Sequence, residues 1–171
     1  MRMQFVGAIL AATFLTAPAA YGQGARFGIA GTGAFSLEEG DGSGEFGVSA
    51  LAELDAGGDS PIGFRLDATY LFDPELLQFT GNVLYKFLTS EGSKFHPYLI
   101  GGGGYVTNTD FDGGDFLIDV GAGFNIIMER GSLTPFVEGR FINQFATDPF
   151  TDESRSIQSL QAMLGLKFGG N

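Results

Sequence analysis

The sequence predicts an all-β protein, an eight-stranded antiparallel up-and-down transmembrane β-barrel. Three observations lead there. Eight segments alternate apolar residues with small or polar ones, the two-residue period of a strand. Charged residues make up only 17% of the chain, against roughly 25% in soluble domains, while the hydrophobic share of 44% is ordinary. An export signal opens the chain, and no later apolar run reaches the about 20 residues that a membrane-spanning helix needs.

The signal comes first. Arg2 supplies a positive start, Val6 to Leu15 an apolar run, and Ala20-Tyr21-Gly22 small residues at a cleavage spacing. Processing is expected after Gly22, with Ala19 as the second choice. The predicted organisation is therefore a secretory signal peptide over 1–22 and one barrel domain over 23–171, a length that fits one domain. With no Cys there is neither a disulfide frame nor a thiolate site. The 28 glycines follow no three-residue period, which excludes collagen. A net charge of -11 excludes the basic patches of nucleic-acid binders.

The strands follow in order. Arg26–Ser36 turns Phe27, Ile29, Gly31, Gly33 and Phe35 outward. After the loop Glu38–Glu45, Phe46–Asp55 puts Phe46, Val48, Ala50, Ala52 and Leu54 on one face and Ser49, Glu53 and Asp55 on the other. Beyond the turn Ala56–Pro61, Ile62–Phe72 sets Phe64, Leu66, Ala68 and Tyr70 against Arg65, Asp67 and Thr69. Asp73-Pro74-Glu75 breaks the chain, and Leu77–Leu88 sets Phe79, Val83, Tyr85 and Phe87 against Gln78, Thr80, Asn82 and Lys86. A turn over Thr89–Lys94 leads to Phe95–Thr107. Its parity is left open, because Gly101 to Gly104 carry no side chains to read. An acidic loop, Asn108–Asp115, precedes Phe116–Met128, where Phe116, Ile118, Val120, Ala122, Phe124 and Ile126 oppose Asp119, Gly121, Gly123 and Asn125. Glu129–Ser132 is a turn. Leu133–Phe145 sets Val137, Gly139, Phe141 and Phe145 against Glu138, Arg140 and Gln144. A loop over Ala146–Ser156 leads to the last strand, Ser159–Phe168, with Leu160, Ala162, Leu164, Leu166 and Phe168 on its apolar face.

The connections are expected to alternate, with longer loops after odd strands and short turns after even ones, the asymmetry of an outer-membrane barrel. Charge divides the same way. The odd connections hold Glu38, Glu39, Asp41, Glu45, Asp73, Glu75, Asp110, Asp112, Asp115, Asp148, Asp152 and Glu153, 12 of the 20 acids, against the single base Arg155. One rim is thus strongly anionic.

The apolar parity is assigned to lipid. A soluble barrel, lipocalin-like, would wet the polar parity, yet that parity is sparse in charge and diluted with Gly, Ser, Thr and Asn. Such a face suits the narrow interior of eight strands, which side chains just fill. Its charges are Glu53, Asp67, Asp119 and Glu138 with Arg65, Lys86, Arg140 and Lys167. Four acids and four bases balance, and enclosed ions must pair because an isolated one costs several kcal/mol. Aromatics gather at strand ends, with Phe35, Phe46, Tyr70, Phe79, Phe116 and Phe145 towards the anionic rim and Phe27, Phe64, Phe87 and Phe168 towards the other. Two such girdles flank the apolar band of a membrane barrel.

The alternating strands, the segment Phe95-His-Pro-Tyr-Leu-Ile-Gly-Gly-Gly-Gly-Tyr105 and Gly121-Ala-Gly-Phe124 together resemble the small outer-membrane β-barrel superfamily, typified by OmpX and the transmembrane part of OmpA. The resemblance spans essentially the whole mature chain. It implies location in the cell outer membrane, contact with lipid and lipopolysaccharide, and insertion by the barrel-assembly machinery, which reads a last strand ending in an aromatic. Phe168 fits that role, although Gly169, Gly170 and Asn171 follow it. The superfamily shares no catalytic residues, so none are carried over and no cofactor is expected. A monomer is expected.

Three local features have competing readings. His96 is the only histidine, and outer-membrane lipid A-modifying enzymes pair a His with a Ser. Ser93, however, lies in a turn, and the nucleophile and base must be within hydrogen-bond reach. Asp110, Asp112 and Asp115 resemble part of a calcium loop but lack its spacing and closing Glu. They are weak metal candidates beside the reading as a solvated acidic loop. The four glycines lack the helix start and Lys of a phosphate cradle. The functional expectation is a non-enzymatic barrel with a structural or surface-interaction role. A narrow porin-like channel is the alternative, and a lipid A-modifying enzyme is disfavoured.

Overall fold

The computed structural model describes residues 24–38, 44–57, 60–90, 92–111, 113–128, 133–147 and 154–169. The signal segment lies outside the described residues. The eight strands are β1 Ala25–Ser36, β2 Gly44–Asp55, β3 Ile62–Phe72, β4 Glu75–Lys86, β5 Phe95–Asn108, β6 Asp115–Ile126, β7 Leu133–Thr147 and β8 Ser154–Gly169. Each pairs antiparallel with the next, and β1 pairs with β8 to close the barrel. Closure leaves no open sheet edge along the paired registers, so the backbone groups are satisfied without water.

The alternation of each strand decides which way its side chains point. Leu164 is 67% exposed and Leu66 68% exposed on the outer wall, with Val120, Phe124 and Leu160 on the same surface. Arg65, Glu138 and Lys167 are buried inside. The parity of β5 is resolved by register: Phe95, Leu99 and Tyr105 face out, while Tyr98, Ile100 and Val106 face in. Aromatic pairs mark both ends of the outer wall. Tyr105 stacks edge-on against Phe116 near the acidic rim, while Tyr85 meets Phe87 and Phe95 meets Phe124 near the opposite one.

The connection lengths correct one expectation. The strand bounds leave connections 37–43, 73–74, 109–114 and 148–153 at the end read as the acidic rim and 56–61, 87–94 and 127–132 at the other; of the acids read there, Glu39, Asp41, Asp112, Asp148, Asp152 and Glu153 lie outside the described residues. The expected contrast between long loops and short turns is absent. Pairing continues into segments read as loop: Ala146 pairs with Arg155 and Thr147 with Ser154, so the β7–β8 hairpin extends past the expected strand ends. Backbone hydrogen bonding supports these strand ends even where no apolar alternation marks them. What sets the two sets of connections apart is their charge in the sequence, not their length.

Inside, three apolar clusters share the lumen with the charged residues. Ala30, Leu51, Phe136 and Met163 form one layer, and Leu84, Tyr98 and Ile100 form another in the half away from the acidic rim. Val106, Leu117 and Ile142, with Leu76 against them, form a third beneath the acidic mouth. Glycine makes this filling possible. A Cβ at Gly165 would stand 2.3 Å from the Ile29 carbonyl oxygen and 2.6 Å from the Phe136 ring, so only glycine leaves room for that ring.

Candidate functional site: an ion-paired lumen

All eight charged residues picked out in the sequence project into the barrel. The structure gathers them into two clusters. Seven are buried, while the Lys86 side chain keeps 21% exposure at the end away from the acidic rim.

The first cluster lies at that end. Lys167 Nζ donates to Glu53 Oε2 at 2.7 Å, and Lys86 Nζ lies 2.6 Å from Glu53 Oε1. Arg26 and Asp55 join it: Arg26 Nη2 donates to Asp55 Oδ2 at 3.3 Å, Arg26 Nη1 lies 3.6 Å from Glu53 Oε1, and Lys86 also pairs with Asp55. Neither Arg26 nor Asp55 was singled out as a site residue. The available signal was parity, since Asp55 follows Glu53 by two and Arg26 is opposite Glu53 in register.

The second cluster occupies the centre. Arg65 Nη2 donates to both Glu138 oxygens, at 2.6 and 2.8 Å. Arg140 reaches three carboxylates: Nε to Glu138 Oε1 at 2.6 Å, Nη2 to Asp67 Oδ2 at 3.1 Å and Nη1 to Asp119 Oδ2 at 3.0 Å. Arg65 Nε also donates to Asp67 Oδ2 at 3.2 Å. Guanidinium is the side chain suited to this work, because its planar fork serves several carboxylates at once.

Tyr98 joins the two clusters. Its hydroxyl donates to Glu138 Oε2 at 2.7 Å, and Lys167 Nζ sits 4.9 Å from the centre of its ring and of the Phe136 ring. A cation over two aromatic faces gains electrostatic stabilisation in a desolvated site. No sequence signal separated Tyr98 from the outward tyrosines, because its strand had no readable parity. A neutral ladder continues along the wall, with Thr32, Ser49 and Thr69 linked hydroxyl to hydroxyl at 2.6 and 2.7 Å. Apolar clusters and ion pairs share the lumen, and a pocket at the mouth is lined by Leu76 and Val106 together with Thr107, Asp115 and Gln144.

The remaining candidates do not assemble. His96 lies at the end away from the acidic rim and donates through Nε2 to the Ser93 carbonyl oxygen at 3.0 Å. The Ser93 hydroxyl donates instead to the Phe95 carbonyl oxygen, so the two side chains form no nucleophile–base pair. Asp115 accepts from Gln144 Nε2 at 2.8 Å. Asp110 lies in the connection after β5, and Asp112 is outside the described residues. Among the described residues, no three His, Asp or Glu side chains converge as a metal site.

No protein-family model and no curated protein matches the chain. Solved structures do. Neisserial surface protein A superposes with a TM-score of 0.62 at 13% identity, covering 85% of this chain and 97% of that one. The outer membrane protein OprG from Pseudomonas aeruginosa gives a TM-score of 0.51 at 11% identity, covering 85% of this chain and 95% of that one. At these identities the likeness is one of architecture: the chain has the closed eight-stranded fold of small outer-membrane β-barrels.

Proposed function

We propose that the protein is an integral barrel of the cell outer membrane, closed to solutes, which holds an acidic rim at the cell surface and contributes to envelope integrity or surface interaction. One observation carries the reading. The barrel is polar inside and apolar outside, with Leu164 two-thirds exposed and Lys167 fully buried. In water that arrangement would expose the apolar wall while desolvating every ion. In a bilayer the same wall is solvated by acyl chains, and the ions neutralise one another. Export by the segment 1–22, insertion by the assembly machinery and contact with lipid and lipopolysaccharide complete the proposal. The role is read as non-enzymatic: the hydroxyl beside His96 is that of Thr89, 3.5 Å from Nδ1, while Ser93 turns its own hydroxyl to the Phe95 carbonyl oxygen and meets the ring through its carbonyl oxygen instead.

Two measurements test it. Membrane-extracted protein should migrate differently on gels before and after boiling, as a closed barrel does. In planar bilayers it should give no stable unitary conductance, because buried apolar clusters and paired ions share the narrow interior of eight strands. Reproducible conductance steps would replace the closed reading with the narrow channel. Lipid A mass spectra that change with the protein would restore the enzyme.

A further inference from the structure

Asn82, Gly102 and Asp119 are register partners on β4, β5 and β6, and all three face the lumen. A Cβ at Gly102 would stand 2.4 Å from Asn82 Oδ1, so the Asn82 amide leans over the glycine. Its orientation is fixed by its own bonds. Nδ2 donates to Asp67 Oδ2 at 2.9 Å and to Thr80 Oγ1 at 3.0 Å. Turning the amide would set its oxygen against the Asp67 carboxylate. Asn82 Oδ1 and, across Gly102, Asp119 Oδ1 both lack a hydrogen-bond partner, although each residue is 5% exposed or less. Both are acceptors, and neither can satisfy the other. Buried acceptors of this kind call for a donor or a positive charge.

The charge inventory points to the second. The central cluster sets Asp67, Asp119 and Glu138 against Arg65 and Arg140. Arg140 is shared by all three acids, and its Nη1 is the one cationic donor that Asp119 has. Lys86, which balances the overall count, is engaged at the far end by Glu53 and Asp55. The central cluster taken alone therefore holds one acid more than it holds bases, beside the two acceptors, and the matching extra base is in the first cluster, where Arg26, Lys86 and Lys167 face Glu53 and Asp55.

We propose that the lumen binds a single monovalent metal cation, sodium-like, above Gly102 between Asp119 Oδ1 and Asn82 Oδ1. Carboxylate and amide oxygens are the ligands that replace the hydration shell of such an ion. A local excess of one acid suits a monovalent ion, and the described residues gather no three acidic or histidine ligands for a divalent one. The proposal depends only on the closed lumen, so it stands or falls separately from the envelope role.

The test is the unfolding midpoint of the refolded barrel in detergent, read by the gel shift, in sodium chloride and in choline chloride at equal ionic strength. Binding to the folded state alone should raise the midpoint progressively with sodium concentration, and choline should not do so. Asp119→Asn should flatten that response. Gln161→Met, a lumen change away from the site, should keep it. Should Asp119→Asn fail to refold, Asn82→Ala takes its place with the same expectation. Equal midpoints in the two salts would overturn the proposal and leave a bridging water as the occupant. A full sodium response in the Asp119 or Asn82 variant would overturn it too.

Discussion

Arg65 on β3 and Glu138 on β7 reach across the lumen to each other, a single guanidinium nitrogen donating to both carboxylate oxygens at 2.6 and 2.8 Å. Both side chains are fully buried, so neither has water to fall back on. Glu138→Ala would leave Arg65 and Arg140 to share Asp67 alone and would free the Arg65 Nη2 and Arg140 Nε donors that Glu138 now holds. The expected loss is about 3–5 kcal/mol, the range for removing one partner of a buried pair. Replacing both ends, Arg65→Met with Glu138→Leu, should cost less than the single change. Urea unfolding of the refolded barrel, followed by the gel shift, measures both.

Tyr98→Phe isolates a smaller contribution. It deletes the 2.7 Å bond to Glu138 Oε2 but keeps the ring beneath Lys167. A hydrogen bond to a charged group is worth roughly 1.5–3 kcal/mol, and the variant should lose about that much in the same assay. A neutral result would mean that Arg65 and Arg140 alone hold Glu138 in place.

Opposite outcomes are expected at two neighbouring positions of β8. Leu164 lies on the outer wall, and Leu164→Arg at mid-depth should cost roughly 2–4 kcal/mol of membrane-folded stability. Gln161 lies inside, with both amide atoms unpartnered. Gln161→Met should be neutral or stabilising, because removing an unpaired buried polar group removes its desolvation penalty. Quantitative refolding into lipid vesicles reads both. Equal losses would mean that the two parities are not solvated differently.

The same alternation explains what could be read in advance. In seven strands alternate positions are mostly apolar, with an occasional glycine or Asn143 between them, which fixes the outer face and, by exclusion, the buried charges. The eighth, β5, has four consecutive glycines and therefore no pattern, so Tyr98 and its link between the two clusters stayed hidden. The β7–β8 extension stayed hidden for a different reason. Residues such as Thr147, Ser154 and Ser156 carry no apolar signal, yet all three are paired in the β7–β8 ladder. Sequence alternation also gives each charge a side but not a depth. Two clusters joined by Tyr98, rather than one network, could be seen only once register placed Glu53 beside Lys86 and Arg140 between Asp67 and Asp119.

Two glycines separate lumen filling from strand propensity. Gly139 faces outward on β7, and a Cβ there would meet nothing within 4 Å. Gly139→Ala should therefore stabilise by about 0.5–1 kcal/mol, since the unfolded chain loses freedom and nothing in the fold resists. Gly165 is the converse case. Its Cβ would press on the Ile29 carbonyl oxygen and the Phe136 ring, and that ring has no free space to enter. Gly165→Ala should cost roughly 1–3 kcal/mol, the range for overpacking a filled interior. If Phe136→Leu restores part of that loss when combined with Gly165→Ala, the penalty arises at the ring and the lumen is tightly filled there. If the double variant is no better than the single one, the backbone contact with β1 is what demands glycine.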